Sequence, residues 1–166
     1  SNTQTPIDSV FLDGEWEFYP KEFISSPFLN NDPNKKPEYL KVPENWNQFF
    51  PGGQGFGSYR LILKLPENRI FPLAMKLFEQ GTAYRLFVNG EEIAKNGEVG
   101  TNNLESKPDA LPLITRSFPG TQTLEIIFHV SNFHFREGGL WYPIQFGKEE
   151  TLRKDRESNI NLDMFL

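Results

Sequence analysis

The sequence predicts an all-β fold, a two-sheet β-sandwich of the jelly-roll kind with a C-terminal tail. Three observations carry this. Aromatic residues are plentiful, with 16 Phe, 5 Tyr and 3 Trp against only 2 Met, a balance that favours pleated sheets over a helical bundle. Thirteen Gly and 13 Pro imply many turns between short strands. Several segments also alternate apolar and polar residues with the period of two that a half-buried strand requires.

In chain order, Gly14–Tyr19 (GEWEFY) alternates and reads as a first strand. Pro20–Pro37, rich in Asn, Pro and Lys, reads as an irregular surface excursion. Tyr39–Val42 is a short strand leading into Pro43-Glu44-Asn45-Trp46, and Pro51–Ser58 (PGGQGFGS) is a Gly-rich loop. The clearest strand is YRLILKL, with Tyr59, Leu61, Leu63 and Leu65 on one face and Arg60, Ile62 and Lys64 on the other. Pro72–Glu79 and Thr82–Val88 follow, and Asn89-Gly90 joins the latter to Glu91–Ala94 through a type I′ turn. Gly97–Pro108 is loop, with one short strand near Val99. Leu111–Phe118, Thr121–Val130 and Leu140–Phe146 complete the sheets, with Pro119-Gly120 turning between the first two. This gives about eight or nine strands and no helix before residue 148. Lys148–Leu166 is charged, then mildly apolar at Ile160, Leu162, Met164, Phe165 and Leu166, and reads as a helix or an extended stalk. One domain over residues 8–150 and a stalk over 151–166 is the expected organisation.

Composition excludes several functions. The net charge is −5, with 22 acidic and 17 basic residues scattered along the chain, so nucleic acid is not an expected partner. The absence of cysteine excludes disulfides, thiol catalysis and cysteine-ligated zinc. No apolar run approaches the roughly 20 residues that span a bilayer. The given residues show no signal-peptide pattern, and Ser1-Asn2 is compatible with a tag remnant on a piece excised from a longer protein.

No enzyme template fits. His129 and His134 are five apart with no H-E-x-x-H pattern, and Ser131 lacks the G-x-S-x-G setting. Adjacent carboxylates such as Glu91/Glu92 and Glu149/Glu150 read as surface residues, although a glycosidase pair drawn from distant segments stays open. PGGQGFGS has neither the Lys-Ser/Thr ending nor the following helix of a phosphate loop. No metal site, cofactor or catalytic residue is assigned; structural calcium on backbone carbonyls remains open.

Non-covalent recognition is what remains. An aromatic platform suits the C–H face of a sugar, and planar polar groups suit its hydroxyls. Trp46, Trp141 and Tyr142 are the candidate platform, and Arg85, His134, Arg136 and Gln54 the candidate polar contacts. The arginines also suit a ligand carboxylate. Each has a plainer reading. Trp16 and Trp46 fit a sandwich core, His129 a less buried strand face, and Arg85 a strand position facing solvent or an acidic neighbour. No core demand explains His134 and Arg136, which sit in a loop. Gly138-Gly139 serves either a positive-φ corner or close ligand approach.

Taken in order, LDGEWEFYP, VPENWNQF, GFGSYRLILKLP, AYRLFVNGEEIAKNGEVG and LEIIFHVSNFHFREGGLWYPIQFG resemble the galactose-binding-like jelly roll. That group includes the sugar-binding domains at the start of family 2 glycoside hydrolases. The ending SNFHFREGGLWYPIQFG with its charged tail is most similar to one subgroup. These are the periplasmic sensor domains, of the second extracellular type, of bacterial seven-transmembrane receptors with diverse intracellular signalling modules. The resemblance covers roughly residues 11 to 150. It implies a non-catalytic, extracytoplasmic ligand-sensing domain that binds a small molecule, chiefly a carbohydrate. The membrane-embedded remainder of a receptor would be its partner, the tail would approach the first span, and homodimerisation is left open. The alternatives are a carbohydrate-binding accessory domain of a family 2-like glycoside hydrolase, or a protein-interaction or dimerisation domain.

Overall fold

The computed structural model describes residues 9–26, 34–66 and 71–154. Their ten strands are β1 (Ser9–Phe11), β2 (Gly14–Pro20), β3 (Glu38–Val42), β4 (Gly55–Lys64), β5 (Leu73–Leu77), β6 (Ala83–Val88), β7 (Glu91–Asn96), β8 (Leu113–Ile114), β9 (Thr123–Asn132) and β10 (Ile144–Lys148). They form a four-stranded sheet, β1-β10-β5-β8, and a six-stranded sheet, β3-β2-β4-β9-β6-β7. Every pairing is antiparallel. The chain crosses repeatedly between the sheets, as a jelly roll requires, so the predicted all-β sandwich is the observed architecture.

Alternation drives the burial. Trp16 and Phe18 of β2, Tyr59 of β4, Tyr84 and Leu86 of β6 and Phe128 of β9 point between the sheets and are buried. Opposite them lie Leu73, Met75 and Leu77 of β5 and Ile144 and Phe146 of β10. Ring centroids of Phe18 and Tyr59 lie 5.0 Å apart, and those of Trp16 and Phe128 5.9 Å, within the range where aromatic pairs add to area burial. The β6–β7 hairpin turns at Asn89-Gly90 with φ of 49° and 82°, the type I′ signature that the sequence predicts.

The opposite face of the six-stranded sheet is roofed locally by residues 21–26. Ile24 N–H donates to Ser58 Oγ (3.0 Å), Ser58 Oγ–H donates to Glu22 O (2.7 Å), and Phe23 stacks on His129 at 5.1 Å. His129 is therefore on the outer face as expected, but it is only 9% exposed because this strap covers it. Its Nε2–H donates to Ile24 O at 2.6 Å, since a carbonyl only accepts. Burial pushes the imidazole below its ordinary pKa; the Ile24 bond opposes this, Arg85 adds to it, and Glu92 opposes it. Beside it Arg60 bonds Glu17 and Glu125, each at 2.8 Å. Burial works against this guanidinium's charge, yet the two carboxylates outweigh it and hold its pKa above the ordinary value.

Four expectations change. A short strand, β1, precedes the predicted first one and pairs with β10. Half of the Gly-rich loop is strand, because β4 begins at Gly55; a Cβ there would meet the Phe50 ring at 2.6 Å, so its glycine serves close packing. Of the predicted Leu111–Phe118 strand, β8 pairs with β5 and Phe118 bridges Leu73, but between them Thr115 Oγ1 takes the Met75 N–H (3.0 Å) that a ladder carbonyl would accept. Near Val99 there is only an isolated bridge, Glu98 to Lys107. Helix runs from 149 through 154. Residue 8, residues 27–33 of the excursion and 155–166 of the stalk lie outside the described residues. No helix among the described residues is long and apolar enough to cross a membrane.

Candidate functional site

The 131–143 loop is built from the end of β9 to the start of β10, and its main chain is tied down along most of its length. Asn132 Nδ2 donates to Gly53 O and to Phe135 O, both at 2.8 Å, while its Oδ1 accepts from Phe135 N–H at 3.1 Å. Asn47 Nδ2 donates to Arg136 O at 2.8 Å. Trp46 N–H donates to Gly138 O (3.0 Å), and Leu140 N–H to the buried Tyr59 Oη (3.2 Å). Gly139 has φ of 93°, and a Cβ there would lie 2.5 Å from Tyr59 Oη. Of the pair Gly138-Gly139, only Gly139 is the positive-φ corner, while Gly138 serves close packing, since a Cβ there would meet Trp46 Nε1 at 2.6 Å.

The last part of the loop is held by one residue from the β5–β6 turn. Gln80 is 1% exposed. Its Oε1 accepts from Tyr142 N–H at 3.1 Å, and its Nε2 donates to Tyr142 O and Phe78 O, both at 3.3 Å. Its main-chain carbonyl accepts from the Trp141 indole N–H. With its main-chain groups engaged this way, and with Pro143 lacking an N–H, 140–143 cannot join the ladder. The predicted strand therefore starts four residues late, at Ile144.

These ties set Trp141 and Tyr142 side by side, rings 5.0 Å apart, on the wall of an open cleft of about 500 Å³. Phe135, Arg136, Glu137, Glu79, Gly81 and Ala110 complete the lining. Phe135 and Tyr142 are 47% and 42% exposed, so two rings present large apolar areas to water beside three charged side chains. Such a mixture, an apolar floor with a few polar groups, is what small-molecule sites use. A depression of similar volume, about 510 Å³, lies between Phe71-Pro72 and 148–154, with one ring, Phe71, among five charged side chains.

Of the seven candidate residues, the structure brings Arg136, Trp141 and Tyr142 together in this cleft. Trp46 is corrected to core. It is fully buried against Phe18, Phe50 and Tyr59, with its indole N–H on Gly53 O at 2.7 Å, and has no face left for a ligand. Arg85 lies on the outer face of the six-stranded sheet with its fork on Glu92 (3.2 and 2.6 Å), the acidic-neighbour alternative, and does not line the cleft. The bonds to Glu92 hold the Arg85 pKa above its ordinary value, against burial. His134 donates through Nε2 to Ser106 O at 3.1 Å and braces the neighbouring loop. Gln54 is exposed just before β4, away from the lining. Sequence reasoning missed Gln80, Phe135, Glu79 and Glu137; the exposed-loop position of Phe135 was the one available signal. Among the described residues no group of three His, Asp or Glu side chains converges to hold a metal ion.

Neither a protein-family model nor a curated protein matches the sequence. Solved structures share the fold. The β-glucuronidase of Ruminococcus gnavus in complex with uronic deoxynojirimycin aligns with a TM-score of 0.59 at 17% identity, over 89% of this chain and 30% of that one. The same enzyme with D-glucuronic acid gives a TM-score of 0.58 at 17% identity, over 84% of this chain and 29% of that one. At such identity the likeness is one of fold. The chain spans less than a third of the length of these enzymes.

Proposed function

We propose that this chain is a non-catalytic carbohydrate-recognition domain of a larger protein, of the accessory kind found in glycoside hydrolases, with its site at the Phe135–Trp141–Tyr142 cleft. One observation carries the reading: two adjoining rings fixed by Gln80 share an open cleft with a guanidinium and two carboxylates. Rings supply the face on which sugar C–H groups pack, and the charged groups supply hydrogen bonds to hydroxyls. The likeness to a stretch of β-glucuronidase chains supports an accessory role. Glu79 and Glu137 are both exposed, without the apolar enclosure that a glycosidase acid uses, which favours binding over catalysis.

Titration with a panel of mono- and disaccharides, followed by tryptophan fluorescence and amide chemical shifts, tests this. Tyr142→Ala should weaken binding about tenfold, the order of one aromatic contact. Its unfolding midpoint should hold, because the bonds to Gln80 use the Tyr142 main chain. Absence of binding by every sugar at millimolar concentration would end this reading.

The order of motifs from LDGEWEFYP to SNFHFREGGLWYPIQFG favours a second reading, in which the same cleft is the extracytoplasmic input of a bacterial membrane receptor. Ligand would then bias two receptor states through its differential affinity for them. The coding sequence beyond Leu166 separates the two: apolar spans support the receptor, and a catalytic barrel supports the hydrolase.

A further inference from the structure

We propose that the cleft selects a sugar bearing a single carboxylate, a hexuronate, gripped by Arg136 while its ring lies on Trp141 and Tyr142; this rests on the carbohydrate reading above. Five arginines lie among the described residues. Four are neutralised within the chain: Arg60 by Glu17 and Glu125, Arg85 by Glu92, Arg116 by Glu91 and Arg153 by Glu149. Arg136 alone has no carboxylate within ion-pair distance among the described residues, although Glu79 and Glu137 line the same cleft.

The root of the side chain is nonetheless placed, since Asn47 holds the Arg136 carbonyl at 2.8 Å. An exposed guanidinium on a fixed root presents a planar fork that fits a carboxylate with two parallel hydrogen bonds. The hexuronate carboxylate projects from the edge of the sugar ring, so the same ligand can keep one C–H face on the aromatic pair. Glu79 and Glu137 set the other limit. They repel an ion of higher charge such as a phosphosugar, and they temper the attraction for a monoanion.

Calorimetric titration compares D-glucuronate with D-glucose, D-galacturonate with D-galactose, and D-glucosamine as the cationic control. It uses the full chain, Arg136→Gln, Arg136→Lys and Glu137→Gln, each checked for an unchanged melting curve. At least one uronate should bind about tenfold tighter than its neutral parent. Arg136→Gln should erase that difference, and Arg136→Lys should restore part of it. Glu137→Gln should tighten the uronate. Equal binding of uronate and parent, tighter binding of glucosamine, or weakening by Glu137→Gln overturns this inference and leaves the carbohydrate reading standing. Failure of every sugar to bind overturns both.

Discussion

Gln80→Ala is the perturbation that best probes how the aromatic pair is positioned. The substitution removes the acceptor of Tyr142 N–H (3.1 Å) and the donor shared by Tyr142 O and Phe78 O (3.3 Å each). A buried main-chain group left unpaired costs about 1–3 kcal/mol. The two 3.3 Å bonds are long and Tyr142 is partly exposed, so water recovers some of them, and the N–H dominates. A loss of about 2 kcal/mol is expected, with a fall of about 4–8 °C in Tm for a chain of this size. Urea unfolding followed by circular dichroism should show a lower midpoint at unchanged slope. Gln80→Glu should be worse than alanine at pH 7, because it turns a carboxylate toward two carbonyls. It should recover as pH falls, since that buried carboxyl gains stability on taking a proton. Sugar affinity should fall with either variant, while Trp141 keeps its acceptor, the main-chain carbonyl of residue 80. A change below about 0.5 kcal/mol for Gln80→Ala, the level of an ordinary surface substitution, would refute the clamp.

Three further outcomes follow from the packing. Arg60→Leu should cost about 3 kcal/mol in urea unfolding, because it strands Glu17 and Glu125, and Glu125 Oε1 already lacks a partner. His129 has a depressed pKa when folded, so the unfolded chain takes up the proton first as pH falls. Its contribution is full above about pH 6.5 and is lost as pH drops from there toward the folded pKa; the midpoint should decline from pH 7.5 to 5.5, and His129→Gln should flatten that decline. Gly139→Ala should destabilise by about 2–4 kcal/mol in the same assay, from the backbone strain at φ of 93° and the displaced Tyr59–Leu140 bond.

Much of the sandwich was legible because alternation is a local property. In YRLILKL the sequence alone separates Tyr59 and Leu61 from Arg60 and Ile62, and the sheet keeps that division. Positions governed by distant partners were not legible. Trp46 follows a strand in a turn, and only Phe18 and Tyr59, brought from β2 and β4, make it core. Arg85 and Arg136 look alike in sequence, yet Glu92 on the adjacent strand satisfies one and nothing among the described residues satisfies the other. Gln80 offers no local sign of its role, because its partner Tyr142 is 62 residues away. The strap over His129 has the composition of an irregular excursion for the same reason: Ile24 and His129 are 105 residues apart.

The pairing of β1 with β10 also has a mechanical side. Ser9 lies opposite Gly147, so the chain enters and leaves on neighbouring strands at the same edge of the four-stranded sheet. Tension applied across those two points loads the β1–β10 hydrogen bonds one at a time, as a zipper opens, instead of shearing them together. With only three residues in β1, peeling should begin at low force in a single-molecule pulling experiment attached at residues 9 and 148. Meanwhile β10 runs about 16 Å from Ile144, two residues past Tyr142, to Lys148. One strand thus links the edge of the cleft to the residue where the load is applied, and a pull at residue 148 reaches Trp141 and Tyr142 through β10 and Pro143.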